Sequence, residues 1–120
     1  MKEALANEKL EIVPMTVFAK GGHYALESLS KIGYEVVGLD WTIRPEEARE
    51  KVGTNVTLQG NFDPCAIYAS PEEIKKKVGD MVAEFGRDKW IANLGHGIYP
   101  DMNPDHLKAF IDAVHTHTAK

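Results

Sequence analysis

Four short apolar runs, each followed by a stretch with helical periodicity, narrow the folds open to this chain more than any other feature. The runs are EIVPMTVFA (11–19), YEVVGLDW (34–41), NVTLQGN (55–61) and WIANL (90–94). They are brief and mostly unalternating, as parallel strands buried on both faces are. Pro14 cannot donate to a sheet ladder, so the first strand is expected to begin near Met15 or to lie at an edge.

The helical stretches carry their own punctuation. In the third, Ser70 is placed to cap, Pro71 suits the first helical position and Glu73 completes a capping box. Ile74, Val78, Met81, Val82 and Phe85 then share one face, and Gly86 supplies the stop. The fourth opens with Asn103 as cap and Pro104 after it, with Leu107, Phe110, Ile111 and Val114 as its apolar stripe. The first helix is expected over roughly 22–32, with Ala25, Leu26 and Leu29 inward. The second is expected over roughly 45–52, ending at Gly53. Residues 2–8 read as the tail of another helix.

The order is therefore four consecutive βα units in one domain spanning residues 1–120, an α/β architecture with parallel strands. Four such units make half of a (βα)8 TIM barrel, and they also fit an open doubly wound sheet. The first strand is followed by AKGGH, which lacks the G-x-G-x-x-G spacing of a dinucleotide site.

Composition removes several function classes. At 43% hydrophobic and 27% charged, the 120 residues have a globular balance, and no apolar run is long enough to span a bilayer. The net charge is −4, and the one basic triplet, Lys75–Lys77, falls on the solvated side of a patterned helix, so no nucleic-acid partner is expected. The polar start MKEALANEKLE has no signal-peptide core, and the single cysteine, Cys65, excludes an internal disulfide. A cytoplasmic setting is expected.

In parallel α/β folds the chemistry sits at the carboxyl ends of the strands. Here those ends are FAKGGH (18–23), GLDW (38–41), QGNFDP (59–64) and NLGHGIYPD (93–101), and each holds glycine and a polar or ionisable side chain. His96, between Gly95 and Gly97, is the main candidate, because an imidazole can donate, accept or carry charge near neutral pH. It either meets a ligand carboxylate or carbonyl, or bonds a carbonyl of its own loop. Asp40 is expected to cap the next helix rather than face the pocket. Asp63 is expected to shape the turn at Pro64, with Asn61 and Gln59 tying that loop together, and Asp101 to bond the backbone where the last helix starts. Lys20 reads as a solvated lysine and His23 as a helix-start residue. His115 and His117 are two apart and do not share a helix face, Cys65 has no C-x-x-C partner, and neither H-E-x-x-H nor G-x-S-x-G occurs. No metal site, cofactor or serine triad is expected, and no catalytic group is assigned.

Taken as an ordered set, VPMTVFAKGGHYALESL, GYEVVGLDWTIRPEEAR, TLQGNFDPCAIYAS and IANLGHGIYPDMNPDHLKAFIDAVH resemble the C-terminal part of the uroporphyrinogen decarboxylase family. The similarity runs from about residue 9 to near the end of the chain. The resemblance implies a (βα)8 barrel and a cofactor-free, usually homodimeric decarboxylase. Such enzymes convert the four acetate side chains of uroporphyrinogen to methyl groups, giving coproporphyrinogen and CO2. It also implies a substrate-binding role for His96, which matches the cleft histidine of the family's N-L-G-H-G loop. The family's arginine-bearing N-terminal segment, pyrrole-binding aspartate, and cleft tyrosine and serine lie upstream of the matched region and have no counterpart here.

Uroporphyrinogen carries eight carboxylates, which calls for several cationic groups, arginine above all. This chain has only Arg44, Arg49 and Arg87, and none ends a strand. The expectation is half an enzyme, inactive or weakly active alone, that self-associates or partners with a missing N-terminal half. The competing readings are a non-catalytic tetrapyrrole-binding or dimerisation module, and another barrel of the wider decarboxylase- and methyltransferase-like group. The zinc-binding members of that group carry a Cys/His pattern absent from this sequence.

Overall fold

The computed structural model describes residues 13–19 and 25–119. The expected helix tail at 2–8, and Lys20 and His23, lie outside the described residues. The elements alternate as expected: β1 (Thr16–Phe18), α1 (Leu26–Leu29), β2 (Val36–Gly38), α2 (Pro45–Val52), β3 (Thr57–Phe62), a short 3-10 helix (Pro64–Tyr68), α3 (Pro71–Phe85), β4 (Trp90–Leu94) and α4 (Pro104–Thr118).

The helix ends follow from local chemistry. Ser70 Oγ accepts from the Glu73 amide at 3.3 Å, Pro71 opens α3, and Gly86 closes it at φ 76°. Asn103 Oδ1 accepts from the Asp105 amide at 2.9 Å, with Pro104 next. Gly53, also at φ 76°, ends α2. The α3 stripe is inward as read, with Ile74, Val78, Met81 and Val82 buried. The α4 stripe is corrected at one position. Phe110 and Ala113 are buried there, whereas Ile111 is 46% exposed, because α4 turns only a narrow face to α3.

The four strands are all parallel and pair in chain order, β1-β2-β3-β4. Register puts Val17, Val37, Leu58 and Trp90 in one row across the sheet. Every helix among the described residues packs on this side. Leu26 of α1 and Ala48 and Val52 of α2 join Val37 and Leu58, while Ile74, Val78 and Phe110 pack with Phe62 and Trp90. Phe85 lies against both clusters and stacks on Trp90 at 5.1 Å. Sequential order with a single helical layer is the arrangement of a (βα)8 barrel, not of a doubly wound sheet, which has helices on both faces. The chain is half of such a barrel.

The next row, Phe18, Gly38, Gln59 and Ile91, points to the opposite face. Phe18 is 45% and Ile91 43% exposed. So β4, an unalternating WIANL in sequence, alternates in exposure, because its inner face lacks cover within the described residues. Strand β1 is shorter than expected. Pro14 brings no donor, and the Met15 amide is taken by Glu35 Oε2 at 2.7 Å.

At the amino ends of the strands, Arg49 acts as a staple. Its guanidinium donates to the carbonyls of Gly53 (3.1 Å), Val56 (2.8 Å) and Lys89 (2.8 Å). Ile74 and Ile111 separate buried from exposed apolar positions. Ile74→Ala is expected to cost about 2–5 kcal/mol in urea unfolding, and Ile111→Ala no more than about 0.5 kcal/mol.

Candidate functional site

The carboxyl ends of the strands are joined through Asn61. It is buried near the end of β3, and its Nδ2 donates to the carbonyls of Asp40 (2.9 Å) and Ile43 (2.6 Å). The turn after β2 is thereby pinned over the end of β3. Asp40 is buried, and its Oδ1 accepts from the Thr42 amide at 2.8 Å and from the Thr42 hydroxyl. It is therefore a turn-former and not the expected helix cap. The N-cap position of α2 is Arg44, four residues further on, and its side chain makes no capping bond. Asp63 does what was expected of it, accepting from the Cys65 amide at 2.9 Å to start the 3-10 helix.

The loop after β4 seats on this platform. The Gly95 amide donates to the Phe62 carbonyl at 2.7 Å, continuing the ladder past the strand. A Cβ on Gly95 would stand 2.6 Å from the Trp41 amide nitrogen and 3.0 Å from the Asp40 carbonyl carbon. The two backbones thus touch where only glycine fits. Nothing lies within 4 Å of the equivalent position on Gly97. The glycines flanking His96 have different reasons for being there, and only the first is a steric requirement.

His96 is exposed at this end of the sheet. Its ring meets two others edge-on. One is Trp41, at 6.0 Å between centroids and 89° between planes, and the other is Phe18, at 6.5 Å and 62°. Phe18 ends β1 and lies across Gly38, where a Cβ would come within 2.9 Å of its ring. Neither aromatic was singled out from the sequence as a neighbour of His96. The available signal was an aromatic at or just past the end of each of the first two strands, three positions from a glycine.

Asp101 corrects a second expectation. It does not bond the start of α4, a place Asn103 fills, but accepts from the Tyr68 hydroxyl at 2.6 Å. This bond ties the end of the 3-10 helix to the His96 loop. The hydrogen bond to Asp101, then partial burial and the Asp101 charge, push the Tyr68 phenol up from its ordinary 10.0 to about 12.

The arginines stand apart from His96. Arg49 is at the far end of the strands, Arg87 donates to the His117 carbonyl at 3.3 Å, and Arg44 pairs loosely with Glu46 and Glu84 at 3.8 and 3.9 Å. Arg44 edges a cleft of about 370 Å³ outside the sheet, between the turn after β2 and α3, whose charges are mixed. Among the described residues no helix is long and apolar enough to cross a membrane.

Two outcomes follow from this geometry. Gly95→Ala is expected to lose about 1–3 kcal/mol in thermal or urea unfolding, while Gly97→Ala stays within about 0.5 kcal/mol. Equal losses at both glycines would rule out the contact with Trp41. In an alkaline titration followed at 295 nm, one tyrosine is expected to ionise late, and Asp101→Asn to bring it down. The sign follows from a folded pKa raised above the unfolded one. The Tyr68–Asp101 bond contributes fully below the ordinary 10.0 and is lost as pH climbs through about 12.

Known proteins resemble the chain along its whole length. The family model described as uroporphyrinogen decarboxylase (URO-D) matches residues 1–117. The uroporphyrinogen decarboxylase of Ovis aries is 62% identical over 118 residues, and that of Homo sapiens 60%, each alignment covering 98% of this chain and 32% of the relative. The enzyme of Salinibacter ruber is 50% identical over 106 residues, covering 88% of this chain and 30% of its own. The chain thus spans about 32% of the length of the curated relatives it matches first. A solved structure of a methyltransferase from Methanosarcina mazei superposes with a TM-score of 0.78 at 18% identity, covering 99% of this chain and 36% of that one, a likeness of fold alone. With its family model matched almost end to end, the chain belongs to the uroporphyrinogen decarboxylase family.

Proposed function

We propose that this chain is the C-terminal portion of a uroporphyrinogen decarboxylase, acting in porphyrin biosynthesis together with the remainder of the barrel. The observation that carries the reading is the placement of His96. It is exposed at the carboxyl ends of the strands, next to an inner sheet face that has no cover among the described residues. In a closed barrel that position opens into the ligand-binding mouth. A cationic or donating imidazole there suits a substrate whose recognisable groups are carboxylates.

The reaction replaces each acetate carboxylate by a proton. A proton adds to the pyrrole α-carbon next to the carbon that bears the acetate, leaving a conjugated ring cation. The bond to the carboxylate carbon then breaks, CO2 leaves, and its electron pair neutralises the ring cation. A second proton transfer, onto the exocyclic carbon with loss of the first from the ring, gives the methyl group. The net change is uptake of one proton and release of one CO2. In this scheme His96 binds a side-chain carboxylate, and no cofactor is needed.

The other needs are several more cations and a stabiliser for the ring charge. The three arginines serve elsewhere, as a staple, a helix-end bond and a surface pair. The further cations and the stabiliser belong in this reading to the missing N-terminal part, whose strands would pair with β1 and β4 and cover Phe18 and Ile91. A second copy of the chain is the other candidate for that cover. The free, exposed thiol of Cys65 fits a cytoplasmic setting.

The test is a decarboxylation assay on uroporphyrinogen, with products separated by their number of carboxyl groups. The purified chain alone is expected to release no CO2. Co-expression with the N-terminal remainder of a family member is expected to restore turnover, and His96→Asn in the restored enzyme to raise KM by at least about tenfold. Turnover by the chain alone would refute the half-enzyme reading. Unchanged kinetics in His96→Asn would refute the role of His96.

A further inference from the structure

We propose that Trp41 is a positioning residue for His96: its indole edge-on to the imidazole, and its backbone under Gly95, fix the direction in which His96 meets a carboxylate. The proposal rests on the reading of His96 as a carboxylate-binding residue and says how the fold makes that residue effective.

An exposed histidine on a glycine-flanked loop has free rotamers and a pliable backbone, and a ligand that orders both loses affinity in doing so. Two features remove that freedom here. The first is the ring geometry. Imidazole and indole meet at 6.0 Å and 89°, the edge-to-face arrangement that the ring quadrupoles favour, and Phe18 adds a second edge contact at 6.5 Å. The second is the backbone. Gly95 sits so close to the Trp41 amide that the loop cannot move toward the β2 turn.

The support beneath Trp41 is itself rigid. Asp40, on one side, holds the Thr42 amide and hydroxyl, and Asn61 holds the carbonyls of Asp40 and Ile43. Trp41 is thus clamped from both sides along the chain and passes that order to His96. Each pair is modest in energy, but the loop needs little, because the alternative rotamers of a solvated histidine differ by a similar amount.

The experiment labels the histidine rings with 13C, in the 120-residue chain for the ring-current comparison and in the chain co-expressed with the N-terminal remainder of a family member for binding. His96→Asn assigns the His96 ring signals, and uroporphyrin, the oxidised macrocycle that keeps all eight carboxylates, is the binding probe. In the wild-type chain the His96 ring protons are expected to be displaced from the values of exposed histidines by the Trp41 ring current. Trp41→Ala is expected to return them to those values and to weaken uroporphyrin binding about three- to tenfold. Trp41→Phe, which keeps an aromatic edge, is expected to restore most of both.

His96 signals that do not move in a folded Trp41→Ala chain would overturn the proposal, as would an affinity that falls equally in Trp41→Phe and Trp41→Ala. If Trp41→Ala proves unfolded, Trp41→Phe against Trp41→Leu decides by the same two readouts. A restored wild-type enzyme whose His96 signals ignore uroporphyrin would refute the binding reading instead. The ring-current comparison would still decide whether Trp41 positions His96.

Discussion

A parallel sheet whose strands pair in chain order must carry its crossover helices on one side, and the rest of this structure depends on that constraint. Val17, Val37, Leu58 and Trp90 form the row under the helices, and the row containing Phe18, Gln59 and Ile91 faces away from them. In an open doubly wound protein the order breaks and helices cover both faces. Here the order does not break, and among the described residues the second face carries no helix. The sequence is written for cover on it. Phe18, Val36 and Ile91 are apolar on a face that the described residues leave without a covering layer.

At the carboxyl ends the polar side chains divide their labour. Asn61, Asp40 and Asp63 hold backbone: Asn61 donates to two carbonyls of the turn after β2, and Asp40 and Asp63 accept from amides of their own turns. The Tyr68–Asp101 bond does the same between the 3-10 helix and the last loop. His96 differs: among the described residues it has aromatic rings beside it and it is exposed. A group held by rings instead of hydrogen bonds keeps both nitrogens available to a ligand.

Much of this was legible in the sequence because it is local. Ser70 with Pro71, Asn103 with Pro104, and Gly53 and Gly86 mark helix ends through bonds to atoms within a few residues of themselves. Four strands with helical stretches between them gave the parallel half-barrel. The readings that failed concern which distant residue fills a role. Asp40 and Asp101 were both assigned to the nearest helix start. Asp40 is held in its own turn, and Asp101 bonds a tyrosine 33 positions away. Ile111 has the spacing of a core residue, yet how wide a face α4 buries depends on the tilt of α3, which no pattern within α4 encodes. The approach of Trp41 to His96 depends on register across three strands, and a chain read in one dimension does not contain it.

The staple at Arg49 gives the two ends of the strands separate fates under mutation. Its guanidinium gathers the carbonyls of Gly53, Val56 and Lys89 at the amino ends, far along the strands from the turns that carry Trp41 and His96. Substitutions in the loops at 40–44, 63–70 and 95–103 can therefore reshape what the mouth accepts while the staple keeps the strands in register. Substitutions around Arg49 draw on stability and leave the mouth's outline alone. A lineage carrying this fold could exchange ligands by drifting at one end, provided the other end held still.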